Sequence, residues 1–238
     1  MEFNQKLITG KILKRYKRFF ADVELDSGEV VVAHTPNTGS MKTCWEPGWK
    51  CAVSHHDDPK RKLKYTLEMT HNASSWICVN TALPNKLAAE AILAGRITEL
   101  LPFDHLKPEA KIGQSRIDIL LTTGDGDTPA QKTCVEVKNA TMLGDDGMAI
   151  FPDSVTTRGQ KHLRELTELA NSGHRAAMLF VVNRTDVDIF RAAREIDPDY
   201  ADLLVTAKQA GVLVLAYQCR LDLNEIVLER SMSVDLGE

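Results

Sequence analysis

The chain has 238 residues, of which 43% are apolar and 26% are charged, as in an ordinary globular protein with one large or two modest domains. No run of about 18 apolar residues is present, and the first residues lack a basic segment followed by an apolar one, so neither a membrane span nor a secretion signal is expected. The five scattered cysteines include no Cys-x-x-Cys pair and predict free thiols in a reducing cytoplasm, not a zinc or disulfide framework.

The net charge of −4 is unevenly distributed. Residues 1–83 carry 12 Lys+Arg against 9 Asp+Glu, a balance of +3, whereas the remainder carries 17 against 24, a balance of −7. A basic first third followed by an acidic remainder suggests a module that faces nucleic acid, joined to one that bears functional carboxylates.

Residues 6–80 have the pattern of a small all-β module. Short apolar runs alternate with turns such as Asp26-Ser27-Gly28 and Pro47-Gly48, and no convincing helical period interrupts them. This spacing predicts an OB-like barrel in a first domain at residues 1–83. The candidate strands are Leu7–Lys14, Phe20–Leu25, Val30–Thr35, Trp49–His55, Tyr65–Thr70 and Trp76–Val79.

Two basic clusters lie within this module, one around Tyr16 and one just before Tyr65. Basic side chains with interleaved aromatic rings can bind the phosphates and the bases of a nucleic-acid strand. The competing interpretation is two solvated loops. The candidate nucleic-acid-binding residues are Lys14, Arg15, Lys17 and Arg18 in the first cluster and Lys60, Arg61, Lys62 and Lys64 in the second.

Residues 84–238 are expected to form a second domain that begins with a helix. Pro84 suits the first turn of a helix, and an apolar stripe at helical spacing continues until Gly95. Glu90 lies one step off this stripe, so it either reaches the functional site as an extra metal ligand or faces water. The stretch around Pro102 and Pro108 is expected to be irregular.

Two short runs rich in branched residues follow, Arg116–Leu121 and Thr133–Lys138. They flank a polar turn at residues 124–129 that contains two glycines and a proline. Strand-like runs bounded by turn residues in this way predict two adjacent antiparallel strands.

These strands would bring together two carboxylates and an ammonium group. Side chains alternate along a strand, so Glu136 and Lys138 share one face, and Asp118 comes from the neighbouring strand. Carboxylate oxygens suit Mg²⁺ or Mn²⁺, which would stabilise charge on phosphorus and activate a water molecule, while Lys138 would orient that water or neutralise the phosphate. The sequence therefore predicts a metal-dependent phosphodiester site. The competing interpretation is a hairpin with Glu136 and Lys138 on its solvent-facing side.

The pattern of an acid, any residue and a lysine has little specificity by itself. Asp58-Pro59-Lys60 and Glu109-Ala110-Lys111 match it as well. Both lie beside proline in polar surroundings, where a central strand is not expected. Only the copy at residues 136–138 has apolar flanks and an upstream strand that carries Asp118.

A second helix is predicted at Gln160–Ser172 by its buried stripe of leucines. Gln160 is expected to project toward the strands, as a further catalytic candidate. Arg158 and Lys161 join the candidates for nucleic-acid binding, although Lys161 could instead pair with Glu165.

The remaining elements predict a mixed sheet flanked by helices, hence an α/β (α+β) fold for the second domain. Residues 139–152 are expected to form a loop, and the tail from Ser231 is expected to be loose. The predicted elements are a strand at Ala176–Val182, helices at Asp188–Glu195 and Pro198–Gln209, a strand at Val212–Tyr217 and an edge strand at Glu225–Leu228.

Four segments together resemble one family, the bacterial sugar fermentation stimulation protein A family, and the resemblance runs across nearly the whole chain. Its most specific part is the block Arg-Gly-x-Lys-His-Leu. The four segments are Pro36–Met41, Val135–Thr141, Phe151–Asp153 and Thr157–Leu163.

This resemblance implies an OB-like domain followed by a restriction-endonuclease-like domain of the PD-(D/E)XK type. It also implies non-sequence-specific DNA binding and a role in regulating maltose metabolism. The metal-ligand pair of the nuclease superfamily maps onto Asp118 and Glu136, and its lysine maps onto Lys138. Glu90 and Gln160 correspond only loosely to an acid and a glutamine in some branches. Ile117 stands where the motif has proline directly before the aspartate.

Three functions are compatible with these features. The first is a DNA nuclease that uses Mg²⁺ or Mn²⁺, and the second is a DNA-binding regulator that keeps the nuclease fold only as a platform. The third is a protein that processes RNA or binds single strands, because an OB-like barrel serves either polymer. Three charged groups that face one another argue against the second, since a discarded site has little physical reason to keep them.

Overall fold

The computed structural model describes residues 1–112, 115–124 and 131–237. Residues 125–129 of the turn predicted between the two strands therefore lie outside the described residues. In the ranges that are described, no helix is both long and apolar enough to cross a membrane. All five cysteines are buried free thiols, as the sequence predicts.

The first sheet closes into a barrel. Its strands follow the order β3-β2-β1-β4-β5-β6, and a parallel pairing of β3 with β5 joins the first five into a ring. This arrangement is the OB-like barrel that the sequence predicts. The strands are β1 (Ile8–Tyr16), β2 (Phe20–Leu25), β3 (Val30–His34), β4 (Lys50–His55), β5 (Tyr65–His71) and β6 (Trp76–Cys78).

The interior of the barrel is filled by one side of each strand. Along β2, Ala21, Val23 and Leu25 are buried, whereas Asp22 and Glu24 between them point away from the core. Side chains alternate in this way because successive Cβ atoms of a strand point to opposite faces. The alternation of apolar and polar residues therefore determines which side of β2 faces the barrel interior.

The second sheet has nine strands, in the order β10-β11-β13-β15-β14-β12-β9-β8-β7. Parallel and antiparallel pairs occur together, so the sheet is mixed. Its strands are β7 (His105–Ile112), β8 (Ser115–Thr123), β9 (Gln131–Ala140), β10 (Met142–Leu143), β11 (Ala149–Phe151), β12 (Arg175–Val182), β13 (Ile189–Ala192), β14 (Leu213–Leu221) and β15 (Ile226–Asp235).

Helices cover both faces of this sheet. Helix α1 (Pro84–Leu93) packs against one face, and α2 (Thr157–Asn171) and α3 (Pro198–Gln209) pack against the other. Each face therefore has its own apolar core, and the central strands β9, β12 and β14 are buried on both sides. The predicted fold class, an OB-like barrel followed by a mixed sheet with flanking helices, is confirmed.

The stretch around Pro108 is not irregular, contrary to the sequence prediction. It forms β7, which pairs antiparallel with β8. Strand β7 is the last in the sheet order, so no strand lies on its outer side. Pro108, which has no N–H to donate, is therefore tolerated there. The prediction was wrong because the sequence does not reveal which strand lies at the edge.

Three further predictions are wrong in the second domain. Residues predicted as the helix Asp188–Glu195 contain β13, which pairs in parallel with β11 and β15. The loop predicted at residues 139–152 contains β10 and β11, and the tail from Ser231 belongs to β15, which lies inside the sheet and not at its edge. In each case pairing with distant strands overrides the local pattern.

Arg184 joins the two domains through a guanidinium group that is completely buried. Its Nε and Nη2 atoms donate to the two carboxylate oxygens of Asp186, each at 2.7 Å. Its Nη1 atom donates to the carbonyl oxygen of Thr141 at 2.8 Å and to that of Thr43, in the barrel domain, at 3.4 Å. Asp186 also accepts a hydrogen bond of 2.7 Å from Asn72, at the end of the barrel strand β5.

We expect Arg184→Met to lower the free energy of unfolding by about 3–5 kcal/mol, because it leaves the Asp186 carboxylate buried without its cation. Urea unfolding measures this loss. The matched control is Arg194→Met, which breaks the exposed pair of Arg194 with Asp202 and should cost less than about 1 kcal/mol. Equal losses in the two variants would contradict a structural role for the buried guanidinium.

Candidate active site

The candidate site lies where β8 and β9 part. Their antiparallel ladder runs from the pair Thr123–Gln131 to the pair Ile119–Val135. One residue further on, the carboxylate of Asp118 takes the place of the β8 backbone and accepts the N–H of Val137 at 2.9 Å. The strands are therefore adjacent and antiparallel as predicted, and they separate at the residues proposed for chemistry.

Asp118 is held from two sides. Besides the N–H of Val137, its carboxylate accepts a hydrogen bond of 3.0 Å from the side-chain amide of Asn85, at the start of α1. Burial raises the pKa of Asp118, and the negative charge of Glu136 raises it further, against the opposing effect of these two donors. The two carboxylates are thus close enough to repel each other, which is what a shared cation would relieve.

Glu136 is almost completely buried, with 3% of its surface exposed. Its Oε1 atom accepts a hydrogen bond of 2.6 Å from the ammonium group of Lys138 and also pairs with Nδ1 of His162 on α2. Burial alone would raise the pKa of Glu136, but the hydrogen bonds and charges of His162 and Lys138 outweigh it, so the pKa lies below its ordinary value. The carboxylate is therefore ionised at neutral pH.

The contacts of His162 define how its ring is oriented. Nδ1 faces Glu136, and Nε2 lies 3.5 Å from Nε of Arg158, one turn earlier on α2. Nδ1 also lies 3.0 Å from Nζ of Lys138, so the ring contacts both members of the Glu136–Lys138 pair. Arg158 and His162 together fix the orientation of the Glu136 carboxylate.

Gln160, predicted as a catalytic candidate, is engaged elsewhere. Its amide nitrogen donates to the two carboxylate oxygens of Asp197 at 2.9 and 3.2 Å. Asp197 in turn caps the start of α3 by accepting the N–H of Tyr200 at 2.9 Å. The side chain of Gln160 therefore ties α2 to α3 and supports the site from behind.

Glu90 is not brought to Asp118 and Glu136. Its carboxylate lies 2.9 Å from the amino group of Met1 and 3.9 Å from the ammonium group of Lys86, and its side chain is 38% exposed, so it forms ion pairs at the surface. Across the described ranges, no group of three or more His, Cys, Asp or Glu side chains is placed to hold a metal ion. A metal at this site would therefore have two protein carboxylates as its ligands.

The first basic cluster divides into structural and free side chains. Arg15 is structural, because its Nη2 atom donates to the carbonyl oxygens of Asn37 and Gly39 at 2.8 and 2.9 Å. Lys14 is mostly exposed but lies 4.8 Å above the ring of Tyr16 and pairs with Asp22 at 3.7 Å. The other exposed members of the cluster are Lys17 and Arg18.

The second basic cluster and Lys161 have mixed outcomes. Arg61 donates to the hydroxyl of Thr66 at 2.9 Å, and Lys161 pairs with Glu165 at 3.5 Å, which is the alternative considered from the sequence. The exposed lysines of the second cluster are Lys60, Lys62 and Lys64.

Two contributors to the site were not assigned roles from the sequence. Asn85 follows the helix-opening Pro84, and a polar side chain in the first turn of a helix that starts beside a sheet is the signal that could have found it. His162 lies four residues before Leu166 on the buried stripe of α2. That spacing places it on the sheet-facing side of the helix, and this signal could have found it.

Comparison with known proteins agrees with the division into a barrel and a mixed sheet. Residues 13–79 match the family model described as the SfsA N-terminal OB domain. Residues 82–225 match the model described as the sugar fermentation stimulation protein RE domain. The two models together span most of the chain.

Similar proteins cover almost the full length. A sugar fermentation stimulation protein homolog of Marinomonas sp. (strain MWYL1) is 47% identical over 98% of this chain and 90% of its own. A homolog of Shewanella woodyi is 48% identical over 99% of this chain and 100% of its own. The solved structure of Pyrococcus furiosus SfsA in complex with Ca²⁺ superposes with a TM-score of 0.84 at 28% identity, covering 99% of this chain and 98% of that one.

The opposite pKa shifts of the two carboxylates predict opposite responses to pH in metal-free protein. The folded protein favours the protonated form of Asp118. The stability that this protonated carboxyl contributes is therefore lost as the pH rises from the ordinary carboxyl range through the raised pKa of Asp118. Folding favours ionised Glu136, so its contribution is present above the ordinary range and is lost as the pH falls through its lowered pKa.

We therefore expect Asp118→Asn to be at least as stable as wild type at about pH 7.5. Glu136→Gln, which leaves Lys138 and His162 facing an amide, should lose about 1–3 kcal/mol there. At about pH 3 the Asp118→Asn difference should have largely vanished, because the raised pKa leaves wild-type Asp118 protonated, whereas the Glu136→Gln difference should persist further toward acid because the pKa of Glu136 is lowered. Urea unfolding at the two pH values measures them, and a loss of stability in Asp118→Asn at pH 7.5 as large as in Glu136→Gln would contradict the assigned repulsion.

Proposed function

The chain belongs to the family of sugar fermentation stimulation proteins, and we propose that it binds nucleic acid and hydrolyses phosphodiester bonds with Mg²⁺ or Mn²⁺. The observation that carries this proposal is the pair of carboxylates at the point where β8 and β9 separate. Asp118 has a raised pKa because burial and Glu136 disfavour its charge. Negative charge that nearby groups do not fully neutralise is suited to a cation.

The available ligands fit a hard divalent cation. Mg²⁺ binds through one or two carboxylates and keeps several waters, so Asp118 and Glu136 suffice without a third protein ligand. The Pyrococcus furiosus relative is described as a complex with Ca²⁺, which also binds oxygen ligands. That description supports a divalent cation in this family without identifying the ion that this chain uses.

The residues of the site have distinct roles in this proposal. Asp118 and Glu136 would hold the ion, which when bound supplies positive charge to stabilise the phosphoryl group and to activate water. Lys138, now 2.6 Å from Glu136, would turn its ammonium group toward a phosphate oxygen once the ion takes over the charge of Glu136. His162 and Arg158 act as positioning residues for Glu136.

The barrel offers cationic side chains that have no structural task of their own. Lys17, Arg18, Lys60, Lys62 and Lys64 are exposed, and such side chains attract phosphates regardless of sequence. An OB-like barrel with exposed basic loops is a common platform for single strands. These features support binding of DNA, or of RNA, through its phosphates on the basic loops of the barrel.

A second candidate function rests on the two contacts of Glu136. Its carboxylate is already paired with the ammonium group of Lys138 and bonded to His162, as expected for a platform that binds DNA and does not cut it. In that case the protein would act as a non-catalytic regulator, for example of maltose metabolism. Cleavage assays separate the two functions.

We expect wild-type protein to cut single-stranded or plasmid DNA with Mn²⁺ or Mg²⁺, and Glu136→Gln to lose at least about 100-fold in rate. Binding of the same DNA in EDTA should change by less than about threefold, because Glu136 is buried and no ion then links it to a phosphate. Gel electrophoresis of the products and fluorescence anisotropy provide the two measurements.

The matched control is Glu90→Gln, which removes an equal charge from a glutamate that the structure places beside Met1 and Lys86. Its rate should stay within about threefold of wild type. Equal cleavage by wild type and Glu136→Gln would indicate a contaminating nuclease and remove the enzymatic proposal. No cleavage by wild type, with binding retained, would favour the regulator.

We expect replacement of Lys17 and Arg18 by alanine to weaken binding of all sequences alike and to reduce the slope of log affinity against log salt by about 1.5, since each lost phosphate contact removes about 0.7–0.9. Arg15 is left in place because it holds the loop at residues 37–39. Anisotropy titrations at several salt concentrations measure the slope.

The control variant for this measurement replaces Arg194 and Arg220 by alanine. Both are exposed arginines paired with carboxylates, outside the barrel. Their loss should leave the slope within about 0.5 of wild type, since they neutralise acids and not phosphates. A similar reduction in both variants would mean that net charge, and not the barrel surface, determines binding.

A further inference from the structure

A cleft of about 270 Å³ lies between the barrel and the second domain. Three of the four segments that carry the family resemblance contribute to its lining, through residues 37–39, residues 139 and 141, and residues 151 and 153. The proposed phosphodiester chemistry uses none of these lining residues. Asn139, which lines the cleft, directly follows Lys138 on β9, so the cleft lies one residue further along this strand than the candidate site.

The hydrogen bonds of two asparagines leave their amide nitrogens for a ligand. Asn139 accepts a hydrogen bond of 2.6 Å at Oδ1 from Asn183, and Asn37, which is buried, accepts the N–H of Gly39 at Oδ1, at 2.9 Å. An amide has one acceptor oxygen and one NH₂ group, so both residues present donors to the cleft.

An acceptor lies on the same cleft. The carboxylate of Asp153 lies against Gly39, since a Cβ atom on Gly39 would be only 2.5 Å from Oδ2 of Asp153. Within the described residues Asp153 has no hydrogen-bond or ion-pair partner. Phe151 adds an aromatic ring, which Phe180 and Tyr200 hold in place with ring centroids at 5.7 and 5.3 Å.

We propose that this cleft binds one unstacked nucleobase that carries an exocyclic amino group, in a strand whose phosphates reach the site at Asp118 and Glu136. This inference rests on the proposed function. Amide NH₂ donors match the ring acceptors of a base, a carboxylate accepts from an exocyclic amino group, and an aromatic ring supports the face of the base. The volume is just below the range of about 300–1,000 Å³ of drug-sized pockets, so it suits one base or nucleoside.

The proposal makes the substrate single-stranded, or frayed at the cutting point. A paired base in a duplex has its amino group hydrogen-bonded to the opposite base, and it must leave the stack to enter a pocket. The carboxylate of Asp153 argues against a phosphate in the same cleft, because like charges repel at short range. In this arrangement the phosphates lie near Lys138, and the base lies in the cleft lined by Asn139.

The test compares three labelled single strands of about 12 nucleotides in EDTA, where nothing is cut. One strand contains deoxycytidine, the second deoxyuridine, and the third abasic sugars, so all three have the same number of phosphates. Cytosine and uracil have nearly the same size, but only cytosine has an exocyclic amino group. We expect wild type to bind the deoxycytidine strand at least about fivefold more tightly than either other strand, by anisotropy at about pH 7.5.

Two variants locate the preference. Asn139→Asp keeps the acceptor for Asn183 and removes the NH₂ donor, and Gly39→Ala displaces the carboxylate of Asp153. Each should reduce the ratio of affinities for the deoxycytidine and deoxyuridine strands to nearly one. The control Asn171→Ala, which removes an exposed amide at the end of α2, should leave the ratio unchanged.

The outcomes separate this inference from the proposed function. Equal binding of all three strands by wild type, with normal salt dependence, overturns the base pocket and leaves nucleic-acid binding intact. An unchanged ratio in both cleft variants places the preference elsewhere and also overturns the pocket. No binding of any strand overturns both proposals.

Discussion

The hydrogen bond from the N–H of Val137 to the carboxylate of Asp118 determines how the candidate site is built. In an uninterrupted sheet that N–H would be satisfied by a backbone carbonyl of the neighbouring strand. Because a side chain accepts it instead, the two strands separate without leaving a buried donor unsatisfied. The opening gives Glu136 room beside Lys138 and His162. Asp118 is therefore a structural residue as well as a proposed metal ligand.

Periodicity was sufficient for much of the fold and for the centre of the site. Alternation along β2, the helical stripe of α1 and the branched runs of β8 and β9 are local patterns, and each corresponds to an observed element. The same local reasoning placed Glu136 and Lys138 on one face, where they are in contact at 2.6 Å. Predictions succeeded where the partner was a few residues away or on the adjacent strand.

Predictions failed where distant residues decide. Arg15 has the same local sequence pattern as Lys14, but only the folded barrel shows that its guanidinium holds the loop at residues 37–39. Glu90 pairs with the amino group of Met1, which precedes the entire barrel in the sequence. Gln160 donates a hydrogen bond to Asp197, 37 residues further on. Such pairings depend on how elements pack, and no periodic pattern within a short window contains that information.

The buried ion pair of Arg184 and Asp186 has a consequence for how the protein can be divided. Asn72 and Thr43 from the barrel bond to this pair, as does Thr141 after β9, so its polar atoms are satisfied only when both halves are present. Separating the two domains near residue 83 would expose the ion pair to water. It would also remove the hydrogen-bond partners that Asn72 and Thr43 of the barrel provide. The barrel and the mixed sheet are consequently not interchangeable modules, and heat or denaturant should melt them in one cooperative transition.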